Sequence, residues 1–235
     1  MRDYQKIELS PEEWLIAAAD NAGGIGEKPH DLIKVPISIT ASYTLRTALM
    51  ECMSSGARPF SVILHNLTDE LSWDPIVSAC TSLLKEAGLE EVTITGSTES
   101  NMQLLQSAIG IAVLGRVQKR SIREDRTPAD ASYAVIGDPL VGAEVLGRPE
   151  RMVSLSLFLQ LLELKGIYEI VPAGSRGIAH ELHTMNRNAG IADCTVDITK
   201  SAGPASCLLI SYDKAAETEL RKISESLFHP VTFTE

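Results

Sequence analysis

Apolar residues recur along this chain with two periods, three-to-four and two, and the switches between them lay out alternating helices and strands. Positions 40–55 carry Leu45, Leu49 and Met53 on one side of a predicted helix that Gly56 stops. Positions 74–87 repeat the pattern with Ile76, Val77, Cys80, Leu83 and Leu84 before Gly88. Around them, 60–64 reads as a buried strand, 91–95 alternates like a strand, and 109–117 makes another. Upstream, Ser10-Pro11-Glu12-Glu13 sets an N-cap serine, a first-turn proline and a capping-box glutamate before Trp14-Leu15-Ile16-Ala17, which predicts a short helix running into Asp20. Residues 31–36 read as a short strand.

The charged, turn-prone run 118–128 is the candidate boundary between domains 1–122 and 123–235. Past it, Tyr133 to Ile136 predicts a strand turning at Gly137-Asp138-Pro139, followed by an apolar-faced helix over 149–164. A strand near 168–171, a helix over 176–188 ending at Gly190, a strand near 207–212 and a helix over 214–227 complete the pattern. Strands and helices mix in both halves, so the expected class is α+β, with two layers packed together.

The chain has 235 residues and 44% hydrophobic content, enough to bury the core of one large domain or two small ones. A formal charge of -10 argues against a nucleic-acid backbone as partner. Cys52, Cys80, Cys194 and Cys207 are widely spaced with no CxxC pair, so they read as reduced, mostly buried thiols and not as a zinc knuckle or thioredoxin-like motif. The first eight residues carry charges where a signal peptide needs an apolar stretch, and no run approaches a membrane span; a cytoplasmic protein is expected.

Candidate chemistry concentrates in Asp20-Asn21-Ala22-Gly23-Gly24-Ile25-Gly26-Glu27-Lys28. Glycines let backbone approach an anion closely, an aspartate can hold Mg²⁺, and a lysine can neutralise phosphate charge; an ordinary glycine-rich turn is the alternative. Glu51, near the C-terminal end of its helix, opposes the dipole and is therefore either solvated or compensated by a cation such as a metal. Gly96-Ser97-Thr98-Glu99-Ser100-Asn101 follows a strand directly, where a loop holds ligands or a serine caps the next segment. His65-Asn66 ends the 60–64 strand, facing a substrate or closing edge hydrogen bonds. Ser175 and Arg176 precede a helix, where amides and a guanidinium suit an anion, unless Ser175 is a plain N-cap. His180 and His183 are three apart, whereas a zinc-protease helix needs four, so both read as ordinary helix residues.

In order, these segments resemble the superfamily of aminoimidazole ribonucleotide synthetase, thiamine-monophosphate kinase, selenophosphate synthetase and a hydrogenase-maturation dehydratase. Residues 20–28 look like its Asp-Gly-rich loop, 51–59 like its acid-x4-Gly-Ala-x-Pro segment with Glu51 for the usual Asp, and 96–99 like its Gly-Gly-Asp/Glu-Thr motif with acid and hydroxyl reordered. The resemblance runs on through 137–146 and the segments near Ser175 and 201–205, as a shortened second domain. Within it, 20–28 and 95–101 look closest to the α-ribazole kinase branch of cobalamin lower-ligand salvage. The resemblance implies a two-domain fold whose first-domain sheet joins a barrel shared by two subunits, hence a homodimer, with an ATP- and Mg²⁺-dependent kinase activity on a nucleoside-like acceptor. It implies metal at Asp20, Glu51 and Glu99, nucleotide at Gly23, Gly24, Gly26, Lys28, Ser97 and Thr98, acceptor at Asn66, Asn101, Ser175 and Arg176, and possible assistance from His65. A chain lacking a cysteine before Cys52 and a C-terminal cysteine departs from the selenophosphate and hydrogenase-maturation enzymes. The rivals are thiamine-monophosphate kinase, aminoimidazole ribonucleotide synthetase, and a non-catalytic ATP-binding regulator.

Overall fold

The computed structural model describes residues 2–186 and 192–233, so the predicted helix end at Asn188 and Gly190 lies outside the described residues. The chain divides into two compact units, Asp3–Ile122 and Arg123–Glu235, the latter including Arg2.

The first unit runs β1 (Tyr4–Glu8), β2 (Glu13–Gly23), β3 (Ile25–Gly26), β4 (Ile33–Lys34), α1 (Ile37–Ser54), β5 (Arg58–Asn66), α2 (Trp73–Glu86), β6 (Thr93–Thr98) and β7 (Ala108–Gln118). Its main sheet has the order β1-β2-β7-β5-β6. Helix α1 packs on one face: Leu45, Ala48 and Leu49 lie in a single buried cluster with Ile16, Ala18, Val62, Leu64, Ile111 and Val113. Helix α2 packs beside α1 and ends with Gly88 in the left-handed region at φ +67, where the amide of Gly88 returns to the Lys85 carbonyl.

The expected helix before Asp20 is a strand. Ile16 and Ala18 are buried while Ala17 and Ala19 point to the other face, a period of two. β2 also pairs on both sides, Ala18 with Tyr4 and Asp20 with Ile111, so its backbone is satisfied by ladders. The capping chemistry is real, but it closes a turn: Ser10 Oγ accepts from the amides of Glu12 (3.2 Å) and Glu13 (3.1 Å), and the Leu9 amide bonds the Glu13 carbonyl.

The second unit runs β8 (Ser132–Ile136), α3 (Ala143–Gly147), α4 (Leu155–Glu163), β9 (Ile167–Pro172), α5 (Gly177–Met185), β10 (Ala192–Asp193), β11 (Leu208–Tyr212), α6 (Glu217–Ser224) and β12 (Phe228–Phe233). The sheet order is β10-β12-β8-β11-β9. Every residue of β11 is buried. On one face Tyr133, Val135, Leu209 and Val231 meet Ile178 and Leu182 of α5, while α4 and α6 pack together against β9 and β12. The helix expected over 149–164 breaks at Met152: a single turn at Pro149–Arg151 precedes α4, and Ser154 Oγ accepts from the Leu157 amide at 3.0 Å. The helix expected over 214–227 likewise gives up its ends to single turns.

Ser154→Ala is expected to lower stability by about 1 kcal/mol, the usual worth of an N-cap. Had 149–164 been one helix, Ser154 would be interior and alanine would raise stability; a thermal melt of the variant distinguishes the two by sign.

Candidate functional site

Strands β2, β5 and β6 run in one direction and β7 in the other, so the loops leaving Gly23, Asn66 and Thr98 and the start of β7 all meet at one end of the sheet. Backbone bonds sew them together: Gly24 N to Ser107 O (2.8 Å), His30 N to Leu105 O (3.0 Å), Leu67 N to Ala108 O (3.0 Å) and Glu99 N to Asn66 O (2.8 Å). The glycine-rich segment is thus a flap that leaves a strand, not a helix, and returns through the β3–β4 pair to α1.

The anchor of the flap is Asp31, buried at its base. Its carboxylate accepts from the amide of Ser107 (2.7 Å), the hydroxyl of Ser107 (2.7 Å) and the amide of Lys28 (2.7 Å). Burial pushes the Asp31 carboxyl up, but these three bonds and the nearby Lys34 charge outweigh it and hold the group below the ordinary carboxylate range. Gly26 passes so close that a Cβ there would collide with the Ser107 side chain, which is why this turn of the flap takes only glycine. Lys28, expected to neutralise phosphate, instead pairs with Asp69 at 2.7 Å and ties the flap to the β5–α2 loop. Asp69 also caps that loop through Ser72, at 2.9 Å to its amide and 2.6 Å to its hydroxyl. Asp31, Asp69 and Ser107 escaped the sequence reading. Only Asp69-x-x-Ser72 carried a visible cue, the spacing of an N-cap.

The period of two sorts the remaining candidates between faces. Asp20, Ile111, Leu64 and Gly96 form one cross-strand row on the α1 face, and Asn21, Gly110, His65 and Ser97 form the next row on the opposite face. Asp20 and His65 therefore sit on opposite sides of the sheet. His65 and Ser97 are exposed, as are Gly23 and Asn101, whereas Gly24 is buried. Asn66 does not face an open substrate site: it is 1% exposed, its Nδ2 donates to Asp69 O (2.6 Å) and Thr98 Oγ1 (3.3 Å), and its Oδ1 accepts from Thr68 N (3.0 Å). It closes the end of β5, with Thr98 as its neighbour.

The three proposed metal ligands are not assembled. Among the described residues, no group of three or more His, Cys, Asp or Glu side chains is placed to hold a metal ion. Asp20 and Gly96 are three strands apart, roughly 14 Å at about 4.8 Å per strand. Glu99, beyond Gly96, turns its carboxylate onto the amides of Asn101 (2.7 Å) and Met102 (3.1 Å). Glu51 is buried on α1, one turn after Thr47 on the same helix face, so the solvated position is excluded. Asp20, half-buried on β2, fits a cation. Burial pushes its carboxyl up to about 6, against the pull of the Asn21 amide and the Thr47 hydroxyl. A Mg²⁺ that keeps its waters and takes substrate phosphates needs only one or two such carboxylates.

In the second unit, Ser175 and Arg176 are exposed at the start of α5. Ser175 is not its cap: the N-cap position is Arg176, and the Ala179 amide bonds the Ile198 carbonyl at 2.8 Å. The turn after β8 places Asp138 against Arg151 (2.7 and 3.0 Å), with His229 Nε2 3.2 Å away but misaligned for a hydrogen bond. Burial pushes the His229 pKa down, partly offset by the Asp138 charge, so this ring stays neutral near pH 7. Cys52, Cys80 and Cys207 are buried and Cys194 is half-buried; burial pushes the Cys52 and Cys80 thiols up to about 12, which keeps them protonated and inert.

The chain has a mixed α+β fold shared with HypE and thiamine monophosphate kinase. It superposes on HypE of a HypE–HypF complex with a TM-score of 0.65 at 14% identity, covering 97% of this chain and 87% of that one. Thiamine monophosphate kinase from Aquifex aeolicus, complexed with AMPPCP and TMP, gives 0.64 at 10% identity, with 100% and 84% covered. Thermotoga maritima PurL complexed with ADP gives 0.63 at 12% identity, and there the chain spans 42% of the longer protein. No protein-family model matches the sequence, and no curated protein matches it. Among the described residues, no helix is long and apolar enough to cross a membrane.

A carboxylate whose folded pKa lies above its unfolded value costs stability once both forms are ionised, and the cost grows as pH rises from about 4 through about 6. Asp20→Asn is therefore expected to stabilise the protein at pH 7.5 by on the order of 2 kcal/mol and to change little at pH 4. Denaturant melts at both pH values check this; equal destabilisation at both would contradict the desolvated carboxylate.

Proposed function

We propose that this protein is an ATP- and Mg²⁺-dependent kinase that transfers the γ-phosphoryl group to a hydroxyl of a small, nucleoside-like acceptor in the cytoplasm. The observation that carries this reading is a desolvated carboxylate, Asp20, set at the mouth of an anchored glycine flap in the fold of a kinase solved with an ATP analogue and its acceptor. The motif resemblance at 20–28 and 95–101 makes α-ribazole the first acceptor to test and thiamine monophosphate the second.

Phosphoryl transfer asks a protein mainly for position and charge neutralisation around a loose transition state. Bound Mg²⁺ would neutralise and orient the phosphates, with Asp20 as its carboxylate and Glu51, buried one helical turn from the Thr47 that holds Asp20, as a second candidate ligand. The exposed backbone at Gly23 would approach the phosphates, with Gly24 and Gly26 shaping the flap around them, and Lys28 would reach them by exchanging its Asp69 partner. Ser97 and Thr98 supply hydroxyls at the end of β6, and Asn101 an amide beyond it. His65 would accept the acceptor's hydroxyl proton from the face opposite Asp20, which requires the acceptor to approach the γ-phosphate from that side.

A homodimer supports this arrangement. Both helices of the first unit lie on the Asp20 side, and the opposite face carries Ile7 and Phe60, each about two-fifths exposed, with Leu15, Ala17, Ala112, Leu114 and Ile63 half-buried. A second copy meeting this face would cover it and bring further side chains to the row of His65.

A regulator that binds nucleotide without turning it over is the second reading, favoured by the undivided use of Lys28 and Glu99 in internal bonds and by the absence of a three-acid cluster among the described residues.

Mass spectrometry of α-ribazole incubated with protein, ATP and Mg²⁺ is expected to show gain of one phosphoryl group, lost in Asp20→Asn. Phosphorylation of thiamine monophosphate alone would move the acceptor, and nucleotide binding with no product from either would favour the regulator. Sedimentation of the same sample is expected to give twice the 25.4 kDa chain mass; a single-chain mass would remove the dimer.

A further inference from the structure

The second unit has a cavity that the kinase reading does not use. It lies where α4 ends at Glu163, the chain turns through Leu164-Lys165-Gly166, and β9 begins as the edge strand of its sheet. Its volume is about 540 Å³, within the range of small-molecule sites. Three cations, Arg123, Arg126 and Lys165, stand on its wall against one carboxylate, Glu163. The chain as a whole carries 31 acidic residues and 21 basic ones, so this local balance runs against the rest of the sequence.

One of the cations has a structural duty. Arg123 Nη1 donates to the Leu162 carbonyl at 2.8 Å, which offsets the negative end of α4 and fixes the guanidinium plane. A single cation serves that purpose. An arginine offers five donors in a planar fork, so Arg123 keeps donors beyond the one given to Leu162. Leu162, Leu164, Ile167 and the ring of Tyr168 add apolar surface to the same lining, and Asp130 and Asp213 lie near Tyr168. The lining therefore combines cations with an aromatic and aliphatic surface.

We propose that this cavity binds a small phosphorylated molecule with an apolar or aromatic body, the phosphate at Arg123, Arg126 and Lys165 and the body against Tyr168. The site belongs to the second unit alone and is separate from the glycine flap.

The test uses phenyl phosphate, inorganic phosphate and phenol as probes, titrated into the full-length protein and followed by two-dimensional NMR of backbone amides. Phenyl phosphate is expected to shift amides around 162–168 and to bind at least tenfold more tightly than inorganic phosphate, with phenol leaving them unmoved. The double reversal Arg126→Glu, Lys165→Glu is expected to weaken phenyl phosphate at least tenfold. It should fold, because both side chains lie at the surface and the Arg126 backbone amide keeps its 2.9 Å bond to Glu169. Lys28→Ala, at the flap, is expected to leave that affinity unchanged. Shifts confined to the flap, equal binding by phenol, or full affinity in the double reversal would each overturn the proposal; a circular-dichroism spectrum matching the parent's validates the variant, and if it fails, the single Lys165→Glu replaces it.

Discussion

The buried carboxylate of Asp31 holds the first unit's loops in a common frame. A segment of about a dozen residues rich in glycine pays a large entropy to be ordered, more per residue than any other composition. Three hydrogen bonds from two distant stretches, Lys28 and Ser107, offset that cost at one point, and hydrogen bonds to a charged group are worth more than neutral ones. The clamp fixes the base of the flap to the start of β7 and leaves Gly23 and Glu27 exposed. Because its pKa is depressed, Asp31 contributes stability above the ordinary carboxylate range and loses it as pH falls through its folded value. The frame is thus set for neutral pH.

Within that frame the candidate groups divide by face. Asp20 looks toward α1 and is desolvated; His65 and Ser97 look the other way and are exposed. A metal-bound phosphate chain reaching from Asp20 would have to pass the end of the sheet beneath the flap to present its terminal group to the His65 side. The flap leaves β2 at Gly23, one strand from β5 and its His65, and the strand between them carries Gly110, which has no side chain, beside His65. Lys28, held by Asp69, is a charge kept close to this path, and its partner Asp69 remains more than a third exposed.

The elements legible in the sequence were those where one signal dominated. α1 and α2 have helical periodicity closed by Gly56 and Gly88, and β5 and β7 are apolar runs buried in the middle of the sheet. β2 was not legible. Its alanines fit either period, and the Ser10 cap, which forms as expected, serves a turn before a strand; only pairing with β1 and β7 decides the matter, and pairing is tertiary. β12 was hidden because the helix expected over 214–227 stops just before it, and Pro230 within it is a residue that strand patterns disfavour. In the site, the glycine flap and Asp20 were visible as a motif. The Asp31 clamp joins residues 76 apart and the Lys28–Asp69 pair joins different loops, so neither leaves a local signature, and Glu99 and Asn66 looked like ligands because their internal partners are set by the turns they close.

Amide hydrogen exchange with and without Mg²⁺ and a non-hydrolysable ATP analogue tests the central claim, that the flap encloses a nucleotide's phosphates over Asp20. The account predicts slowed exchange across residues 20–36 and 97–101 on binding, diminished in Asp20→Asn. Calorimetrically confirmed binding that leaves 20–36 unchanged, or no binding at all, would contradict it.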